Sequence, residues 1–149
     1  MGHPYDIERA TDLHTEWCQS LMARSGLGTT HRAGPQMRAV MLELRDSLEP
    51  RSVIAIANVL PALERRIFLG GWSLDYTPRA VPDADAFAAR VYERVKGHHE
   101  PLDTLVSDVF WVLNEKLGSE AAVIANHLPP ALKPLWPGAE MQRNANHSW

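Results

Sequence analysis

From Ile7 onward, apolar residues fall at Ala10, Leu13, Trp17, Cys18, Leu21 and Met22, while Arg9, Asp12, Glu16 and Arg24 occupy the opposite side. That is the 3.6-residue period of an amphipathic helix. Gly26 and Gly28 end it, because glycine takes the left-handed cap conformation at little cost. Residues 26–35 read as a loop, with Pro35 in the first turn of the next helix, where its missing N–H is not needed. Met37, Val40, Met41, Leu44 and Leu48 then mark a buried face and place Arg38, Glu43, Arg45 and Asp46 outside. Pro50 opens a third helix, Val53 to Leu60, apolar almost all round and so expected to be central. Pro61 opens a fourth, which runs to about Leu69 and stops at Gly70-Gly71.

A second series comes next. Residues 71–82, GWSLDYTPRAVP, are an irregular linker. Trp72, Leu74 and Tyr76 should dock it, since such side chains bury a large area. Asp83 is placed to cap a helix carrying Phe87, Val91 and Val95, closed by Gly97 and His98-His99. Glu100-Pro101 open the next, in which residues 102–117 leave only a narrow polar stripe; it is expected to be the most buried helix. Gly118 ends it, Ser119 caps a successor reaching Leu128, and Pro129-Pro130 start a last short helix ending at Trp136-Pro137. The tail after Gly138 has no periodicity and is expected to be mobile. Period-two alternation is absent over any useful length, so no strand is expected.

The two series share a phrase. Residues 56–61 read IANVLP and residues 124–129 read IANHLP. Upstream, Val40, Leu44 and Leu48 fall on Val109, Leu113 and Leu117; downstream, Ala62 and Leu63 fall on Ala131 and Leu132 once Pro130 is allowed as an insertion. The expected fold is all-α: two tandem pseudo-symmetric helical repeats of about four helices each, packed as one bundle. The first spans 7–70, the second 83–137, within a single domain closed by the tail 138–149. Two units are too few for a solenoid, which normally stacks at least about three, so face-to-face packing is expected. Within the shared phrase, Asn58, Leu60 and Pro61 and their counterparts Asn126, Leu128 and Pro129 read as a structural hinge. The prolines set the angle between short helices by removing a donor and fixing φ. The asparagines sit where a side chain can satisfy a free carbonyl or take a left-handed conformation.

Composition narrows the function classes. The chain has 149 residues, 45% hydrophobic and 22% charged, which is ordinary for a globular domain. Net charge is −3, and residues 1–70 carry eight bases and eight acids against seven and ten in the rest. No basic stripe marks a nucleic-acid partner. No apolar run approaches the roughly 18 residues of a membrane span, and the N-terminus has no secretory apolar run, so the cytoplasm is the expected address. One cysteine, Cys18, forms no internal disulfide.

The succession of Leu60-Pro61, Leu63, Gly70-Gly71-Trp72, Phe87, Val91, Leu117, Leu128-Pro129, Leu132 and Leu135-Trp136-Pro137 resembles the bacterial domain of unknown function 2267 family over about residues 10 to 138. The resemblance implies a compact, soluble, all-helical protein of two related halves. It implies no activity and transfers no catalytic residue. The doubled Pro129-Pro130 and the tail depart from the family pattern.

Candidate chemistry is sparse. His14 and Cys18, four apart on one helix, can face one metal ion, but a structural zinc site normally has four ligands and no others are in sequence range. Cys18 equally fits the apolar stripe. His98-His99 beside Glu100 and Asp103 read as a helix terminus, where a cation favours the macrodipole. Arg65-Arg66 with Arg51 read as a solvated face. Gly26-Leu27-Gly28 lacks the strand and the Gly-Lys-Ser/Thr of a phosphate loop. No catalytic, metal or cofactor residue is therefore assigned. The expected function is a non-catalytic module that binds a protein partner or itself, a homodimer included, through an aromatic surface of Trp72, Tyr76 and Trp136. The alternative is a small-ligand binder or enzyme with a pocket between the repeats. A cavity there lined by His127, Asn58 or Asn126 would favour the alternative, and a filled apolar junction the module.

Overall fold

The apolar stripes read from the sequence become the core of a computed structural model that describes residues 4–26, 30–95 and 104–138. Among the described residues seven α-helices run in order: α1 (Pro4–Ser25), α2 (Thr30–Asp46), α3 (Pro50–Val59), α4 (Ala62–Leu69), α5 (Ala84–Val95), α6 (Leu105–Leu117) and α7 (Ala121–His127). Two 3₁₀ turns, Gly118–Glu120 and Pro130–Leu135, complete the set, and no strand occurs among the described residues. Gly97, His98-His99, Glu100-Pro101, Leu102, Asp103 and the tail after Gly138 lie outside the described residues.

Trp17, Leu21, Met37, Val40, Phe87 and Phe110 belong to one continuous apolar cluster that draws on every helix. α1 packs on α2 and α6, α2 on α5, and α3 on α7. α6 shields seven of its residues, Asp108 among them, but α2 shields nine, so α6 is not the most buried helix that its narrow polar stripe implied. Asp108 is tolerated there because Thr104 Oγ1 donates to it at 2.8 Å and Arg24 lies 3.6 Å away, its guanidinium also over Trp111 at 4.8 Å.

Several local expectations are corrected. α2 begins at Thr30, so Pro35 stands inside it and not in its first turn. The burial of Ala33 and Met37 on either side outweighs the lost backbone hydrogen bond. Ser119 does not cap α7. Gly118, at φ +58°, turns the chain so tightly that α6 passes through a 3₁₀ turn straight into α7, and Glu120 holds the cap position without a side-chain bond. α3 is buried on one face only, through Val53, Ile56 and Ala57, while Ile54 is half exposed. Glu43 and Arg45, placed outside by the stripe on α2, are both buried. α5 and the linker cover that side, and ion pairing makes the burial tolerable. Asp83 does cap α5, its Oδ1 accepting from Ala86 N at 2.7 Å.

Candidate functional site

The linker is pinned to the end of α2 and does not swing free. Arg45 Nη1 donates to the carbonyls of Phe68 at 3.0 Å and Gly70 at 2.7 Å, and its Nε donates to Asp46 Oδ1 at 2.9 Å. Arg79 N donates to the Asp46 carbonyl at 2.8 Å, and Tyr76 Oη donates to the Leu48 carbonyl. Gly71 takes φ +73°, a left-handed turn that L side chains rarely adopt, and so lets Trp72 fold back. Trp72 and Tyr76 then meet edge to face, with ring centroids 6.1 Å apart.

These contacts frame an open groove of about 320 Å³ lined by Arg45, Asp46, Gly71, Trp72, Ser73, Tyr76, Thr77 and Arg79. Beneath it runs an ion network. Arg94 donates to Glu43 Oε1 at 3.1 Å and to Asp46 Oδ2 at 2.7 Å, and Arg79 lies 3.4 Å from the same Glu43 oxygen. Sequence reading found Trp72 and Tyr76 and missed the charged floor. The helical period of α2 assigns Glu43 and Arg45 to solvent, and only the path of a distant segment buries them. Leu74, between Ser73 and Tyr76, is 67% exposed. The linker thus docks through its aromatics while Leu74 faces water.

Trp136 does not join this surface. It leans on Phe110, centroids 5.5 Å apart, and lines a different groove of about 420 Å³ with Asn114, Asn126 and Lys133. Both tryptophans pack partly against the core.

The two Leu-Pro corners adopt nearly the same conformation. Leu60 has φ/ψ of −80°/143° and Leu128 −65°/142°; Pro61 has −59°/162° and Pro129 −53°/143°. Both leucines are buried. Asn58 and Asn126 lie inside α3 and α7 and are right-handed, since among the described residues only glycines have positive φ. At the first corner it is Arg65 that reaches the carbonyls, donating to Leu60 O at 3.0 Å and to Ala57 O at 2.8 Å, which also accepts from Leu60 N. Arg65 is thus a cap, and its pairing with Arg66 in sequence does not make an anion patch. His127 Nδ1 lies 2.9 Å from Ser52 Oγ and ties α7 to α3.

His14 and Cys18 do converge, and the structure adds a third group. His14 Nδ1 lies 2.8 Å from Glu64 Oε1, and His14 Nε2 lies 3.6 Å from Cys18 Sγ. Among the described residues no three or more His, Cys, Asp or Glu side chains are placed so that they could hold one metal ion. The order thiol, imidazole, carboxylate is that of a nucleophilic relay, but the electrostatics oppose it. Burial pushes the Cys18 thiol up, and the negative charge of Glu64 pushes it further the same way. The thiolate, not the thiol, is the nucleophile, so the cluster acts as a joint between α1 and α4. Cys18 should therefore react with a disulfide reagent such as DTNB far more slowly in the folded protein than in urea at the same pH. Equal rates would show an activated thiol. The sign carries over to stability. A thiol that binds its proton more tightly when folded favours folding below the ordinary thiol value, and that contribution is lost as pH rises toward the raised one.

A family model described as "Uncharacterized conserved protein (DUF2267)" matches residues 14–135. A search of curated proteins finds no match for the chain.

Proposed function

The chain belongs to the DUF2267 family of uncharacterized conserved proteins, and from that premise we propose that it is a non-catalytic protein-interaction module that docks its partner on the linker groove. The observation that carries this reading is the placement of open space. Where helices of the two halves meet, a void of about 10 Å³ is walled by Met41, Leu44, Ile56, Leu60, Phe68, Leu113 and Ile124. That is about the smallest space that admits one water, and its lining is apolar. So small an apolar void supports the module over a substrate pocket between the halves. The linker groove, by contrast, joins a packed aromatic pair and an exposed cation on a segment held at Gly70, Tyr76 and Arg79, and exposed Leu74 follows Ser73 of its wall in the chain. Aromatic anchors beside arginine are what protein interfaces favour, and a fixed backbone lowers the ordering cost of binding.

Leu74→Asp is the test, because the side chain is exposed and its loss should leave the fold intact. Partner proteins recovered from the native host with the wild-type chain should fall by about tenfold with the variant, roughly 1.4 kcal/mol, at unchanged melting temperature. Equal recovery would remove the linker from the interface.

We also read the architecture as an internal duplication. The matched corner dihedrals support it, and so do two of the helix pairings. With α1 matched to α5 and α2 to α6, the contact of α1 on α6 maps onto that of α5 on α2, and the contact of α3 with α7 maps onto itself, whereas the extensive contact of α1 with α2 has no counterpart of its size between α5 and α6 among the described residues. The two corners then differ mainly in the element that each one opens. Pro61 leads into α4 and Pro129 into a 3₁₀ turn, where Pro130 and Pro134 deny an α-helix its donors.

A further inference from the structure

We infer that the linker groove recognises an acidic segment of its protein partner; this rests on the docking reading above and names the chemistry of what docks. The five charged side chains of the ion network, which does not include exposed Asp75 of the linker, are unevenly matched. Arg45, Arg79 and Arg94 supply three positive charges, and Glu43 and Asp46 supply two negative ones. Both Asp46 oxygens are engaged, one by Arg45 and one by Arg94. Glu43 Oε1 is taken by Arg94 at 3.1 Å before Arg79 approaches it at 3.4 Å. Arg79 is the cation least well matched, and its side chain is 55% exposed while its backbone is held by Asp46. Its charge is therefore presented from a fixed point.

A carboxylate is the group that the Arg79 guanidinium binds in a forked, charge-assisted geometry. Exposed Leu74, next in the chain to Ser73 of the groove wall, suits an apolar side chain beside that carboxylate. The overall charge of −3 does not prevent the encounter, because at physiological salt a charge is screened beyond about 8 Å and the local guanidinium governs.

Short randomised peptides displayed on phage and selected on the full chain provide the test. Clones that bind wild type and are lost on Leu74→Asp should be rich in Asp and Glu. Their synthetic peptides should bind about tenfold more weakly to Arg79→Glu and lose affinity as salt rises. Arg79→Gln, which removes the charge without reversing it, should give a smaller loss in the same direction and guards against misfolding of the reversal. Neutral or basic peptides that depend on Leu74 and ignore Arg79 would overturn the acidic assignment and leave the docking reading standing. Failure to select any peptide sensitive to either residue would overturn both. A dimer in light scattering that Arg79→Glu dissociates would make a second copy the occupant and overturn the assignment to a partner protein.

Discussion

Leu113→Ala is expected to lower stability by about 3–5 kcal/mol, the upper part of the range for a buried leucine truncation. Leu113 is 2% exposed and projects from α6 into the wall of the small void between the halves. The cost of such a truncation grows with the cavity left behind, and this site already fails to collapse around its existing gap. Met41 and Leu44 of α2, Ile56 of α3, Phe68 of α4 and Ile124 of α7 meet there, so elements from both halves would have to shift to refill it. Urea unfolding monitored by circular dichroism gives the number. A loss under about 1 kcal/mol would mean that the void relaxes freely and that the halves are not locked through α6. Leu74→Ala, a truncation of the same size on the exposed linker, should stay within about 0.5 kcal/mol of wild type and so isolates burial as the cause.

The elements were legible wherever burial obeys local period. Trp17 and Leu21 on α1, Phe87, Val91 and Val95 on α5, and Leu105, Val106, Val109, Phe110, Val112 and Leu113 on α6 are core, as their spacing required. The repeated Leu-Pro phrase located both corners, because a buried leucine before a proline leaves the backbone few choices. Period fails where a distant segment decides burial. Glu43 and Arg45 lie on the polar side of α2 and are nevertheless covered, because Arg79 and Arg94 arrive from a linker and a helix that α2 alone does not specify. Glu64 is the same case on α4: fully buried, with His14 of α1 as its partner fifty residues away. The asparagines erred in the other direction. Their repetition drew attention, yet at the first corner the carbonyls are reached by Arg65, whose role depends on how α4 folds back over α3. Of the candidate site, the aromatic half was readable because large side chains in a Gly/Pro segment must dock somewhere. The ionic half was not, since charge pairing over such separations leaves no local trace.

Arg45 is where fold and function meet, and its replacement separates them. Arg45→Ala is expected to cost about 3–4 kcal/mol: it strips the Phe68 and Gly70 carbonyls of their donor and leaves Asp46 with one cation fewer in a shielded site. At 8% exposure Arg45 has little water to take its place. Arg45→Lys should recover at most about 1 kcal/mol of that, because a single ammonium cannot reach two carbonyls and a carboxylate in the geometry of a planar fork. The local consequence is the more telling one. With the clamp gone, Gly70 loses its tether and the linker is held by the Asp46–Arg79 backbone bond and the Tyr76 hydroxyl. Amide exchange at Gly70, Trp72 and Arg79 should then accelerate more than exchange in α6, which reports global unfolding. Parallel acceleration everywhere would show Arg45 to be a stabilising ion pair and nothing more. Selective acceleration over 70–82, together with weaker binding at temperatures where α6 stays protected, would show that the groove exists only because the buried guanidinium holds its edge in place.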